Sequence, residues 1–159
     1  MEQNMQKYEI YKKMHEDLKK SMRARFYYQA IFIEYAIAED RCRSALIFAR
    51  VKYMDNKGRE ISLSQKINKF KTNPAFTTKY PRSRLTEDLL KKLSDWKQDR
   101  DNLVHHLAKT PYNDDTVREI AERGKILIDT LSNRVKSVNN YHKKIYGDLE
   151  IEPEEQEKS

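Results

Sequence analysis

Two side chains in one short segment of this sequence have the chemistry to act on a phosphate. The segment is Asp99-Arg100-Asp101-Asn102-Leu103-Val104-His105-His106-Leu107, in which four residues stand between Arg100 and His105. An imidazole titrates near neutral pH and can give or take a proton there. A guanidinium stays charged and offers a planar fork of N–H donors that fits a phosphate in bidentate fashion. Asp101 precedes His105 by one helical turn, where a carboxylate could hold the imidazole's tautomer and raise its basicity. On an ideal helix Arg100 and His105 point about 140° apart. Bringing both to one point therefore requires arginine flexibility, local helix distortion or a second subunit.

The element that must position them is a helix predicted over 86–109 and stopped by Thr110-Pro111. Its apolar stripe runs Leu89, Leu93, Trp96, position 100, Leu103, Leu107, a regular seam interrupted only by Arg100. A guanidinium on a buried seam must be paired or must face a site, because an unpaired buried charge is too costly. One reading pairs Arg100 with Glu39 or Asp40 as a core ion pair and leaves His105 as a surface residue. The other places both in a site.

The remaining elements also read as helices. With only 3 Gly and 4 Pro in 159 residues, few breaks punctuate the chain, so long helices are expected rather than many short strands. An amphipathic helix is predicted over 3–20, with Met5, Tyr8, Tyr11, Met14 and Leu18 as core positions. Residues 22–53 are apolar on more than one face, which suits a central helix or one shared with a second subunit. Glu34, Glu39, Asp40, Arg41 and Arg43 interrupt it and are expected to be solvated or paired. Asp55-Asn56-Lys57-Gly58 forms a turn, with Gly58 left-handed. Ser62 and Gln65 form a capping box opening a short helix over 63–72. Residues 73–84, with Pro74 and Pro81, are expected as a loop. Thr116 and Glu119 are spaced as a second capping box opening a last helix over 115–146. Gly124 lies on its buried stripe and implies a close approach. The expectation is an all-α, up-down bundle of four long helices with one short helix inserted, forming one domain over 1–147, followed by an acidic tail over 148–159.

Several function classes lack their signatures. The sequence has no Gly-rich phosphate loop, no His-Glu-x-x-His motif and no Gly-x-Ser-x-Gly elbow, so neither a metal site nor a cofactor is expected. Cys42 is the single cysteine, too few for an internal disulfide or a Cys-based zinc site, and it reads as a buried small hydrophobe. His15 and His142 are expected on solvated faces. The chain begins without an apolar targeting segment and has no apolar run of the roughly 18–20 residues that a membrane span needs. A soluble, cytoplasmic protein without membrane contact is expected.

The Arg100-Asp101-Asn102-Leu103-Val104-His105 segment resembles the mark of the HEPN superfamily, an Arg followed after four to six residues by a His. Members often carry Asn, Asp or His directly after the Arg, which Asp101 matches. The resemblance implies a HEPN-like helical bundle, akin to single-domain toxin and abortive-infection members, working as a homodimer whose two motifs face each other. It implies metal-independent endoribonuclease activity, in which the ribose 2′-hydroxyl attacks the adjacent phosphate and leaves a 2′,3′-cyclic phosphate. His105 would be the acid–base group, Arg100 the charge stabiliser and Asp101 the orienting carboxylate. Members paired with a nucleotidyltransferase antitoxin often carry Tyr two residues after the His. Leu107 stands there instead, which puts regulation through such a tyrosine in doubt, although an antitoxin or other regulatory partner fits the class.

RNA as the partner draws on a second feature. The chain carries 32 basic and 25 acidic residues, a net +7, which favours phosphate-rich partners. Between Ile61 and Thr86 no acid occurs, while Lys66, Lys69, Lys71, Lys79, Arg82 and Arg84 are interleaved with Phe70, Phe76 and Tyr80. Such a stretch could hold an RNA backbone and stack unpaired bases. It could equally be a solvated segment whose aromatics pack on the core. Two other functions stay open: a catalytically silent HEPN-like interaction module, and a basic RNA-binding protein.

Overall fold

A computed structural model describes residues 2–107, 109 and 113–147. Among these residues the regular elements are helices, with one isolated antiparallel bridge between Met54 and Glu60. The helices are α1 (Glu2–Arg23), α2 (Tyr27–Phe48), α3 (Leu63–Thr72), α4 (Pro74–Thr77), α5 (Lys79–Arg84), α6 (Glu87–His106) and α7 (Asp114–Tyr146). The all-α expectation holds, as do four long helices. The middle connection carries three short helices rather than one. The acidic stretch 148–159 and the Thr110-Pro111 stop lie outside the described residues. Among the described residues no helix is long and apolar enough to cross a membrane.

The ends of the helices correct several boundaries. The predicted helix over 22–53 is shorter at both ends, because α1 runs on to Arg23 and α2 stops at Phe48. Both α1 and α2 close with the same device. Phe26 N–H reaches Ser21 O at 2.9 Å and Arg25 N–H reaches Met22 O at 3.2 Å. Val51 N–H reaches Leu46 O at 2.9 Å and Arg50 N–H reaches Ile47 O at 3.0 Å. These are Schellman closures, and they put Arg25 (φ 61°) and Arg50 (φ 56°) in the left-handed region that usually takes glycine. Arg50 uses the position, since its guanidinium donates to Tyr146 O at 3.0 Å and covers the last turn of α7.

The connection from α2 to α6 starts with the expected turn. Asp55 accepts from the backbone of Lys57 and Arg59, and Gly58 has φ 72°. Ser62 and Gln65 form both halves of the capping box on α3. Residues 74–77 and 79–84 are helical rather than looped. Asn73 caps α4 by accepting from Ala75 N–H at 2.9 Å, with Pro74 in the first turn, where its missing N–H costs nothing. At α7 the predicted Thr116 cap is displaced. Asn113 accepts from Asp115 N–H at 2.8 Å, so the helix starts at Asp114, earlier than Thr116 as the cap would allow.

The chain divides into two compact units. Unit 1 comprises Met1–Ala38 and Asp95–Asp129, and unit 2 comprises Glu39–Ser94 and Thr130–Ser159. The division falls inside α2, α6 and α7 rather than in linkers. In unit 1, Leu18, Ile37, Trp96, Leu103 and Ile128 are buried. In unit 2, Leu46, Leu63, Phe70, Phe76, Leu93 and Val135 are buried. Each large apolar side chain of this kind contributes about 1.5–3 kcal/mol by leaving water. The α1 stripe is only partly a core face: Leu18 is buried, but Met5 and Tyr8 are exposed. The α7 stripe is buried from Val117 to Val138, with Ile145 exposed.

Candidate functional site

The seam on α6 is buried at Leu89, Leu93, Trp96 and Leu103, while Leu107, just past the helix end, is exposed. Arg100 sits on that seam with 22% of its side chain exposed. Its guanidinium lies over the ring of Tyr35 on α2, 4.0 Å from the centroid, and its Nη1 donates to Asp101 Oδ1 at 3.0 Å. Trp96, one turn before Arg100, stacks against the same tyrosine with centroids 6.5 Å apart. Trp96 is itself fixed, since its Nε1 donates to Ile120 O at 3.1 Å on α7.

Asp101 does not orient His105 in this arrangement. Its Oδ2 accepts from Lys97 Nζ at 2.6 Å and its Oδ1 from Arg100. Partial burial raises the Asp101 pKa, but the two cationic donors outweigh it and hold the carboxyl below its ordinary value. The carboxylate thus acts on Arg100 rather than on the imidazole. His105 is exposed in the last turn of α6, and His106 turns back on its own helix, donating from Nδ1 to Asn102 O at 2.7 Å.

Beside this cluster lies Glu34, expected from the sequence to be solvated or paired and in the structure neither. Glu34 is 0% exposed, and neither carboxyl oxygen has a hydrogen-bond partner. Burial pushes its pKa up to about 9, with Lys125 opposing and Asp129 reinforcing the shift. The carboxyl therefore stays protonated at neutral pH. Gly124 makes room for it. A Cβ there would stand 2.6 Å from both Glu34 oxygens and 2.7 Å from Trp96 Nε1. The close approach implied by Gly124 is thus to side chains of α2 and α6. A signal for Glu34 was present, because its helical neighbours Ala30, Ile31, Ile37 and Ala38 are all apolar and all buried.

The basic stretch, which belongs to unit 2, is not one cationic surface. Lys66 is 0% exposed and ion-paired with Glu39 and Glu60, the latter at 3.0 Å, so it cannot contact RNA as expected. It lies on the Leu63–Ile67–Phe70 face of α3, which carries it inward. Lys69 is half-buried, and Lys71 and Lys79 are exposed. Arg82 pairs with Glu87 at 3.0 Å, and Arg84 stands over the ring of Tyr80 at 5.5 Å. Phe70 and Phe76 pack edge to face and are buried, so they are core rather than stacking platforms. Lys71 and Arg82 help line a groove of about 360 Å³ over that core. His142, expected in solvent, is buried, donates from Nε2 to Ala75 O at 2.9 Å, and has its pKa lowered by burial. His15 is half-buried, its ring edge-on to Tyr11.

Among the described residues no group of three His, Cys, Asp or Glu side chains is placed to hold a metal ion. Comparison of the chain with protein-family models, with curated proteins and with solved structures finds no match to any of them.

Proposed function

We propose that this chain is a metal-independent endoribonuclease of the HEPN type, acting as a two-fold homodimer in which Arg100 and His105 serve the reaction. The observation that carries the reading is the seating of Arg100. A charged side chain occupies an apolar seam position, held by Tyr35 and Asp101, with an edge left open. Five residues further on the same helix His105 is exposed. In the reaction, the 2′-oxygen bonds to phosphorus as the bond to the 5′-oxygen breaks. One imidazole takes the 2′-hydroxyl proton and another, from the second copy, supplies a proton to the departing oxygen. Arg100 offsets the charge building on the phosphate oxygens.

The surface of unit 1 supports pairing with a second copy. Phe26, Tyr28, Phe32, Val104, Leu107 and Ile126 are large apolar residues left exposed, Phe32 at 71%. Gathered into one patch, such side chains would make an interaction surface. Sedimentation at tens of micromolar should therefore give a dimer.

The test is cleavage of a fluorescent RNA by the full chain. His105→Ala should lose about two or more orders of magnitude, the usual worth of acid–base catalysis. Arg100→Ala should lose a comparable amount, and both variants should fold, since neither side chain fills core volume as Leu103 does. Cleavage should persist in EDTA, leave cyclic phosphate ends and fail on an RNA with a 2′-deoxy residue at the scissile position. Cutting of the deoxy substrate would refute the mechanism. A silent interaction module is the second reading, favoured by the engagement of Arg100 with Asp101. That module would cleave nothing.

A further inference from the structure

Arg100 and Asp101 are adjacent on α6, but the side chain that lies against the guanidinium comes from another helix. Tyr35 of α2 presents its ring face 4.0 Å from the Arg100 guanidinium carbon. This is well inside the reach of a cation–π contact, and the site's partial burial strengthens it. The ring cannot tilt freely, because Trp96 stacks against it with an interplanar angle of 29°. Trp96 cannot move freely either. It is fully buried, hydrogen-bonded to Ile120 O, and pressed against the space that Gly124 leaves. Rigidity is thus handed from the α7 backbone through Trp96 and Tyr35 to Arg100.

We infer that Tyr35 is the positioning residue for Arg100, an aromatic floor that holds the guanidinium flat so that its outer edge meets a phosphate. Guanidinium has five N–H donors. Among the described residues only one of them, on Nη1, makes a hydrogen bond, to Asp101. One face is covered by the ring and one donor is spent, which leaves the exposed edge to receive two phosphate oxygens. A lysine cannot reproduce this, since an ammonium has neither the flat face nor the fork. The inference rests on the ribonuclease reading for its catalytic consequence, while the hold of Tyr35 on Arg100 is measurable without it.

The experiment uses the full chain with Tyr35→Leu, Tyr35→Phe, Arg100→Lys and the double variant Tyr35→Leu/Arg100→Lys. Two readouts are taken: cleavage of a short fluorescent RNA, and the NMR signal of the Arg100 Nε–H, which the ring current of Tyr35 should shift. Tyr35→Leu should lower kcat by about three- to thirtyfold, the span of a cation–π contact, with KM little changed. The ring-current shift should vanish with it. Tyr35→Phe keeps the ring face and should keep both kcat and the shift. In the Arg100→Lys background Tyr35→Leu should add nothing, since a residue acting through Arg100 has nothing left to position. Equal losses in both backgrounds, or an Arg100 signal unchanged in Tyr35→Leu, would overturn the inference. A wild-type chain that cleaves no RNA would instead strike the functional reading, and the NMR arm would still decide whether Tyr35 holds the guanidinium.

Discussion

Among the described residues each unit holds one carboxyl or ammonium side chain at 0% exposure, and the two are treated in opposite ways. Lys66 in unit 2 meets Glu39 and Glu60, and Glu60 is shared with Arg43, which also binds Asp40. The buried ammonium sits inside a network of carboxylates and arginines. Glu34 in unit 1 meets no donor, and Lys125, whose charge opposes the shift in its pKa, is ion-paired with Asp129. The buried carboxyl keeps a proton instead of a partner. Networking makes the cost of losing a partner large, whereas neutralisation makes stability depend on pH.

The sharpest break in this comparison is removal of Lys66. Lys66→Met leaves Glu39 and Glu60 facing each other without their shared cation. Removing one side of a buried pair costs about 3–5 kcal/mol, and urea unfolding should show a loss of that size. Adding Glu39→Gln and Glu60→Gln should recover much of it. A loss well under about 1 kcal/mol would mean that the network is a solvated ion pair.

The second effect is spread over pH. The Glu34 carboxyl has a folded-state pKa near 9 against an ordinary 4.5. Between those values the folded chain holds a proton that the unfolded chain has released. The stabilising contribution of this proton is whole below about pH 4.5 and is lost as pH rises towards 9, at no more than about 1.4 kcal/mol per pH unit. Glu34→Gln stays neutral and should flatten that part of the profile. Parallel stability curves for wild type and Glu34→Gln between pH 5 and 9 would contradict the neutral carboxyl.

Gly124→Ala probes the space around that carboxyl. An exposed helix position would gain roughly 1 kcal/mol from this change. Here the new methyl would strike Glu34 and Trp96, and overpacking should cost about 1–3 kcal/mol. Thermal unfolding should show a net loss that Glu34→Ala partly relieves. The smallest effect contrasts the two left-handed arginines. Arg25→Gly should gain about 0.5–1 kcal/mol by removing Cβ strain. Arg50→Gly should gain less, because it surrenders the hydrogen bond to Tyr146 O.

Local signals in the sequence carried much of the fold. The Ser62–Gln65 box, the Gly58 turn and the α6 seam all stand where residue spacing places them. What escaped was set by tertiary neighbours. Asn113 outcompeted Thr116 as the cap of α7, and the Asn73 cap turned Pro74 from a helix breaker into a helix starter. At the candidate site, Arg100 stood out on the seam, but nothing in the α6 segment pointed to Tyr35, since the contact joins residues 65 positions apart. Asp101 was read by its spacing to His105, whereas Lys97 and Arg100, with opposite charge and shorter reach, captured both its oxygens. Lys66 was counted by charge alone, although its place on the Leu63–Phe70 face of α3 points it inward.

Cys42 has a practical consequence. It is the single thiol, fully buried in unit 2, and burial pushes its pKa up to about 12. At pH 8 the thiolate fraction in the closed state is then on the order of one in ten thousand, and an alkylating reagent finds almost nothing to attack. Each transient opening that wets α2 exposes an ordinary cysteine. The labelling rate of the native chain therefore clocks the opening of unit 2, with no engineered probe required. A cysteine introduced on the surface of unit 1 would react at once, so a dye could be placed there alone while Cys42 stays silent.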